Sequence, residues 1–179
     1  MTLPIVFGSK SVQLAIQPNI GLDASARQSV VEILNILLAD EAMLMFKAHG
    51  ALELTGETGD TGLAPLIDGH CQLINALSKE IMERIQILGG LQLQGPEELI
   101  KMARLDAKPI VPGVFSVLAD QETFIRFLRE DVLKCTDIFE DQGTFALLVS
   151  ILRKHEKMAW MLRSYIENRP VQGESPKGV

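Results

Sequence analysis

Four long stretches of this chain repeat apolar residues at spacings of three and four, which is the period of one face of an α-helix. The third stretch runs from about Asp120 to Phe139 and the fourth from about Asp141 to Asn168. No stretch combines β-branched alternation with hairpin turns, so the sequence predicts an all-α fold. The repeating residues of the first two stretches are Val30, Ile33, Leu34, Leu37, Leu38 and Leu44, and then Leu63, Leu66, Leu73, Ile74, Leu77, Ile81, Ile85 and Leu88.

Glycine and proline residues set the limits of the predicted helices. The glycine-rich TGETGDTG at residues 55–62 ends the first helix, and Gly89-Gly90 ends the second. Three prolines between residues 91 and 119 exclude one long helix there. Within that connection, PEELIKMARL at residues 96–105 has the proline start that is typical of a short helix.

The unequal links between the helices indicate how they pack. Short links join the first helix to the second and the third to the fourth, which makes each pair antiparallel, whereas a link of about 30 residues separates the second from the third. A link of that length can run along a whole bundle. The sequence therefore predicts a four-helix bundle over residues 23–168, with a long crossover that contains a short helix. Ferritin-like folds have this connectivity, and an unrelated bundle could have it as well. Residues 1–22 form an N-terminal arm and residues 169–179 a flexible C-terminal tail in this interpretation.

Composition and charge narrow the class of protein. A chain of 179 residues is about one domain long, and no apolar run approaches the roughly 18 residues that span a bilayer. The first 16 residues lack the basic start and cleavage site of a signal peptide. Cys71 and Cys135 lie in apolar helical patterns, where a thiol is usually a small buried hydrophobe, so we expect a reduced, cytoplasmic chain. The net charge of −6 argues against a large footprint for nucleic acid.

Three segments closely resemble those of one known family. They are LLADEAMLMFKAHG at residues 37–50, EIMERIQILGG at 80–90 and DQGTFALLVSILRKHEKMAWMLRSYI at 141–166. The corresponding segments belong to the Dps family, the DNA-protection-during-starvation miniferritins of the oxidative-stress response. The resemblance implies an iron-storage shell of twelve subunits, a dodecamer, that oxidises Fe(II), often with hydrogen peroxide, and holds the ferric mineral inside.

The third segment is the most specific of the three. It carries Thr144, His155, Glu156 and Trp160 in the last predicted helix. In similar proteins this helix serves bundle packing and contacts between subunits of the shell more than catalysis. The resemblance therefore gives these residues a structural role.

The family's iron site lies between two subunits, and two of its carboxylate positions match Asp68 and Glu83 on the second predicted helix. They are 15 residues apart, which is about four turns, so both point the same way but stand roughly 22 Å apart. One chain cannot place both on one metal. Two antiparallel copies of this helix, related by a twofold axis, would bring Asp68 of one subunit to Glu83 of the other. The alternative is that both are solvated surface carboxylates.

The other ligand positions depart from the family pattern. Its second carboxylate falls at Lys79 and its histidine at the start of the second helix falls at Ala64. The histidine position of the first helix falls at Leu52 or Ala51, depending on the direction of counting. His49, three residues before Leu52, lies on the same helix face and could reach the site as a third metal ligand.

These departures predict a weakened iron site. Fe(II) prefers imidazole together with carboxylate ligands, and here Asp68 and Glu83 remain as the catalytic carboxylates, with His49 as the third ligand. Lys79 lies four residues from Glu83 and could pair with it, or with Asp68 of the other subunit, where a cation would otherwise sit. A salt bridge in place of the metal and residual metal binding both remain open.

A relocated di-iron site inside the bundle is a further alternative. The signature of such a site is Glu-x-x-His on two helices, and neither the second nor the fourth helix has a Glu three residues before a His. We expect His70 at a surface or interface. The residue types for such a site are supplied by Glu41, His70, Glu80, Glu122 or Glu130, His155 and Glu156.

Acidic residues before the last predicted helix are relevant to how cations would enter a shell. Asp137, Glu140 and Asp141 flank the turn before the last helix, which in similar cages lies near threefold openings where carboxylates attract cations. The alternative is a solvated turn in which Asp141 caps the helix.

The N-terminal arm has only Lys10 within about 26 residues, unlike the lysine-rich arms with which some family members bind DNA, so DNA is not an expected partner.

The leading hypothesis is a Dps-like homo-oligomer built from twofold dimers that binds and stores iron, with a weakened interfacial site for Fe(II) oxidation. The first alternative is a shell or scaffold subunit that has lost iron oxidation, with Lys79 holding the old site closed. A small ligand-binding bundle dimer is the second alternative. The sequence leaves open whether the site is functional and which oxidant it uses.

Overall fold

The computed structural model describes residues 17–54, 62–93, 95–106 and 113–168. These residues form five helices and no strand, as predicted. The predictions about the N-terminal arm before residue 17, the glycine-rich link at 55–61 and the tail from residue 169 lie outside the described residues. The helices are α1 (Ala24–Leu54), α2 (Leu63–Ile87), α3 (Pro96–Met102), α4 (Val114–Asp137) and α5 (Gln142–Glu167).

The four long helices form the predicted bundle. The most extensive contacts join α1 to α2 and α4 to α5, which are the two pairs with short links, and further contacts join α1 to α4 and α2 to α5. The short α3 lies in the crossover and packs against α1. Gly89 ends α2 with a φ of 78°, a left-handed conformation that glycine adopts without strain.

The start of the third long helix was predicted wrongly. The sequence suggested Asp120, but α4 begins at Val114, six residues earlier. Gly113 takes a φ of 107° immediately before the helix, and Val114 and Val117 are buried against the other helices. Burial of these two side chains therefore extends the helix almost to Pro112.

Two apolar clusters form the core. The larger contains Leu34, Leu77, Phe124 and Leu148, and it fills most of the bundle. The smaller lies where α1 ends and α2 begins and includes Ala48, Ile67, Val117 and Leu162. Each of the four long helices contributes to both clusters, so the bundle has one continuous interior.

An ion-pair network fixes the crossover to the bundle. Arg104, just after α3, donates from its backbone N–H and its Nε to the two carboxylate oxygens of Asp40, at 2.6 and 2.8 Å. Its Nη1 lies 2.7 Å from the carboxylate of Asp131 in α4. Both carboxylates are almost fully buried. Arg104 therefore compensates two buried charges and connects the crossover to α1 and α4 at once.

Candidate functional site

The outer face of α2 carries a continuous polar stripe. Asp68, Gln72, Asn75, Lys79 and Glu83 recur at spacings of three and four and are all exposed. The stripe is exposed because the opposite face of α2 provides the apolar side chains that enter the core. Asp68 and Glu83 thus point outward together, but a single chain leaves them four turns apart.

Lys79 has no ion-pair partner within the described part of the chain. Its predicted pairing with Glu83, one turn along the same helix, does not form, and neither Asp68 nor Glu83 makes a salt bridge to another described residue. Three charged side chains on one face of a helix are therefore left for solvent or for a second molecule.

His49 and Cys71 meet beside one end of this stripe. His49 is exposed on α1, and its Nδ1 lies 3.8 Å from the Sγ of Cys71 on α2. Burial, and then the negative charge of Asp68, raise the pKa of the Cys71 thiol to about 11. The structure thus groups His49 and Cys71 near Asp68, which lies one turn before Cys71. Sequence reasoning missed the contact between Cys71 and His49, because a thiol in an apolar pattern was interpreted as a packing residue alone.

A different set of polar side chains lies inside the bundle. His155 on α5 is fully buried, and its Nε2 lies 2.9 Å from Oε1 of the equally buried Glu41 on α1. The amide nitrogen of Gln121 on α4 lies 2.7 Å from His155 Nδ1 and donates to the His155 carbonyl at 3.2 Å. The backbone carbonyl of His155 can only accept, so the side-chain amide of Gln121 must direct its N–H groups toward His155. The Nδ1 of His155 therefore accepts a hydrogen bond from Gln121, and Nε2 carries the proton and donates it to Glu41. Gln121 therefore holds His155 as the proton donor to a buried carboxylate.

His70 completes this interior layer and corrects one expectation. It was expected at a surface or interface, but it is only 5% exposed in the chain. Burial, and to a lesser extent the neighbouring His155, lower the pKa of His70 to about 4, so it is neutral at pH 7. The Nε2 of His70 and the Oε2 of Glu41 are buried and have no hydrogen-bond partner among the described residues.

The remaining candidates for a relocated site lie elsewhere. Glu80 pairs with Lys154 at 3.1 Å, and Glu130 is exposed. In the parts of the chain that the structure describes, no three His, Cys, Asp or Glu side chains come together in an arrangement that could hold a metal ion. Glu41, His70 and His155 are the interior members of the predicted intrabundle alternative, and they do not form such an arrangement. The other two carboxylates form surface pairs, Glu122 with Arg163 and Glu156 with Arg129.

Comparison with known proteins decides the family. A family model for the ferritin-like domain matches residues 31–170. The chain belongs to the ferritin-like family. It is also 33% identical over 159 residues to the low temperature-induced protein all0458 of Nostoc sp., an alignment that covers 86% of this chain and 89% of that protein.

Solved Dps structures share the fold of this ferritin-like chain. DpsC from Streptomyces coelicolor superposes with a TM-score of 0.73 at 24% identity, covering 86% of this chain and 92% of that one. The Dps protein from Vibrio cholerae gives a TM-score of 0.74 at 21% identity, with 84% and 96% covered. The resemblance to the Dps family is thus confirmed at the level of the fold. None of the helices described is long and apolar enough to cross a membrane.

The acidic turn before α5 has a structural role in this ferritin-like bundle. Asp141 caps α5 as predicted, because its Oδ1 accepts from the backbone N–H of Thr144 at 3.0 Å. Arg84 of α2 donates to both carboxylate oxygens of Asp141, at 2.7 and 3.0 Å. The hydrogen bonds of Thr144 and Arg84 lower the pKa of Asp141, although burial opposes them. Of the three acidic residues of this turn, Asp137 and Glu140 are exposed.

The last helix of the ferritin-like chain divides its characteristic residues between core and surface. Thr144 and His155 are fully buried, which agrees with the packing role that was predicted for them. Trp160 is 58% exposed, so it does not pack in the bundle of its own chain. A contact of Trp160 with another subunit stays a prediction.

Proposed function

We propose that this chain is the subunit of a Dps-like ferritin shell that binds and stores iron, with an altered and weakened Fe(II) oxidation site between subunits. The observation that carries the proposal is the exposed, unpaired stripe of α2, with Asp68 and Glu83 on one face of a ferritin-like bundle. Iron is substrate and cargo in this proposal. Asp68, Glu83 and His49 are its ligands.

A twofold axis across α2 would complete the site. The midpoint between Asp68 and Glu83 falls between Asn75 and Ala76, and both of these are exposed. If two α2 helices cross antiparallel there, Asp68 of one copy faces Glu83 of the other, roughly 11 Å from the axis along the helix. Ala76, beside the stripe, has a small side chain that allows the two helices to approach closely.

Apolar side chains on the surface support assembly into a shell. The chain exposes several large hydrophobic residues that a monomer in water would leave uncovered: Phe46, Leu54, Leu91, Ile100, Phe115, Leu133, Ile138 and Trp160 are each more than half exposed. Contiguous exposed apolar surface marks contacts with other molecules, and these residues are the candidates for such contacts. The structurally similar bacterioferritin-related protein from Bacteroides fragilis is described as dodecameric, and we propose twelve subunits here as well.

The ligand set explains why the oxidation site is expected to be weak. Two carboxylates can hold Fe(II) and balance its charge, but imidazole and an open position for the oxidant are the usual complement. His49 is the one imidazole in the proposed ligand set, and its Nδ1 already faces Cys71. Lys79 adds a positive charge one turn from Glu83, which opposes binding of a cation.

A second candidate function follows from Lys79. Because this ammonium has no partner in its own chain, a twofold partner could supply Asp68 as its counter-ion. The pair would then occupy the place of the metal, and the subunit would be a shell or scaffold component without iron oxidation. The buried free thiols Cys71 and Cys135 support a reducing, cytoplasmic location for either function.

The first test is Fe(II) oxidation by the size-defined oligomer, with oxygen and with hydrogen peroxide, for the wild type and Lys79→Asp. Lys157→Asp makes the same charge change at an exposed position on α5 and serves as the control. Wild-type oxidation well above the buffer rate supports the weakened site and excludes the scaffold. If the wild type matches buffer and only Lys79→Asp gains activity, Lys79 closes the site. A solution mass near two subunits would instead support a small bundle dimer.

A further inference from the structure

His49 and Cys71 form a pair of metal-ligating side chains from two helices, and the sulfur of Cys71 lies outside the set of ligands proposed for iron. The Nδ1–Sγ distance is 3.8 Å. In a tetrahedral Zn(II) site, sulfur at about 2.3 Å and nitrogen at about 2.0 Å from the metal stand about 3.5 Å apart. The two atoms are therefore within a few tenths of an ångström of the spacing that one zinc ion requires.

The surroundings of the pair fit a cation. Asp68 lies one helical turn before Cys71 and contributes a negative charge that reaches the thiol, and it forms no salt bridge with a described residue. Cys71 is 6% exposed, whereas His49 is exposed. An ion can thus enter from the side of His49 and bind a sulfur atom that is largely shielded from water. No described lysine or arginine is recorded in contact with this pair.

We propose that His49 and Cys71, supported by Asp68, bind a borderline-soft divalent cation of the Zn(II) class at the edge of the α2 stripe. A thiolate–imidazole pair favours zinc over iron, because soft sulfur ligands select Zn(II) whereas carboxylates suit harder ions. On binding, the thiol releases its proton to solvent and the sulfur coordinates as thiolate. Because no three such ligands meet within the described residues of one chain, water or Glu83 of a second copy completes the coordination.

The proposal deepens the proposed function, and it rests on that function only for the contribution of the second copy. Zinc at this pair would draw Asp68 away from iron. The occupancy of the thiolate pair would then regulate how much Fe(II) the interface binds. The iron proposal does not require Cys71, so the two can be tested separately.

Cobalt(II) is the probe, because it takes zinc sites and gives an intense near-ultraviolet band only when a thiolate coordinates it. The reduced, size-defined oligomer is titrated with Co(II) in the absence of oxygen. We expect a thiolate band that saturates at one ion per subunit and is abolished by Zn(II). Absence of this band in the wild type overturns the proposal without any variant.

Three variants test which side chains coordinate the Co(II) ion that gives the thiolate band. Cys71→Ser should abolish it, and His49→Gln should weaken Co(II) binding by more than about tenfold, since even loss of an outer-shell partner of a metal ligand does so. Cys135→Ala removes the other buried thiol and should keep the band. A band that persists in Cys71→Ser, or that Cys135→Ala removes, contradicts the assignment.

Iron oxidation by Cys71→Ser separates the two proposals. Suppose that Cys71→Ser loses the cobalt band, and that adding Asp68→Asn to Cys71→Ser changes iron oxidation as much as Asp68→Asn does in the wild type. The zinc site and the iron site are then both supported. If the wild type shows no cobalt–thiolate band but oxidises iron in a way that depends on Asp68, the zinc proposal fails and the proposed function stands.

Discussion

Between pH 7.5 and pH 4 the stability of the protein should depend on pH through His70. Its folded-state pKa of about 4 lies below the ordinary value of 6.5. Between these pH values the unfolded chain binds more protons at this residue, so the contribution of His70 to the free energy of unfolding falls as the pH drops through 6.5 and levels off below about 4, where Asp141, whose pKa is lowered in the fold, begins to lose its own contribution. We expect a loss of roughly 1–3 kcal/mol between pH 7.5 and pH 4, measured by urea unfolding monitored by circular dichroism.

His70→Gln isolates this contribution, because glutamine keeps a polar group but does not titrate. The variant should have a flatter dependence of stability on pH than the wild type, whatever its absolute stability. His49→Gln removes an exposed histidine and should leave the slope as it is. Equal slopes for the wild type and His70→Gln would show that a group other than His70 controls the acid response.

The interior layer also shows which properties of single residues can be predicted from the sequence and which cannot. Glu41, His70 and His155 could be named as candidates for a site inside the bundle from their residue types, although His70 was expected at a surface or interface. Their pairing could not be predicted, since the Glu41–His155 hydrogen bond joins residues 114 positions apart. The role of Gln121 gave no signal at all, because a glutamine orients a histidine only through a contact that the sequence does not contain.

The first turn of α5 contains Gly143, which packs closely against the side chain of Arg84. A Cβ on Gly143 would lie 2.8 Å from Nη2 of Arg84, and that guanidinium is held by Asp141 and Thr144. Alanine is better than glycine inside a helix by about 1 kcal/mol, but here Arg84 must move and give up charge-assisted hydrogen bonds. Gly143→Ala should therefore lower the melting temperature, measured by circular dichroism, by the equivalent of about 1–2 kcal/mol.

Gly69 on α2 supplies the matched control for this prediction. A Cβ there meets nothing within 4 Å, so Gly69→Ala should raise the melting temperature by the equivalent of about 0.4–1 kcal/mol. If both substitutions raise it to a similar extent, the space in front of Arg84 does not restrict α5, and helix propensity alone explains the effect of a glycine in this bundle.

At the scale of elements the sequence predicted most boundaries, and its error has a physical cause. The end of α2 was readable because Gly89 adopts a conformation that few other residues adopt. The start of α4 was missed because three prolines suggested that the crossover was irregular apart from its short helix. The residues that extend α4 backwards, Val114 and Val117, are helical because they fill the smaller cluster, and that burial is a tertiary effect.

The whole molecule is expected to assemble through the stripe of α2. Ala76 lies at the midpoint of the stripe and is exposed in the single chain. Ala76→Arg would place a long, charged side chain where two antiparallel helices meet, and the twofold axis would bring two such charges together. The variant should keep its helical content but lose the assembled form, so that analytical ultracentrifugation shows smaller species at the same concentration.

Ala146→Arg is the control for this loss of assembly, since it adds the same side chain to an exposed position on α5 that has no exposed large hydrophobic residue within one helical turn. It should assemble as the wild type does. If Ala76→Arg also assembles normally, the α2 faces do not meet around a twofold axis, and Asp68 cannot reach Glu83 of another copy. The interfacial iron site would then be excluded by geometry. A loss of assembly in Ala76→Arg alone would instead place both carboxylates and Lys79 at the interface on which the proposed function depends.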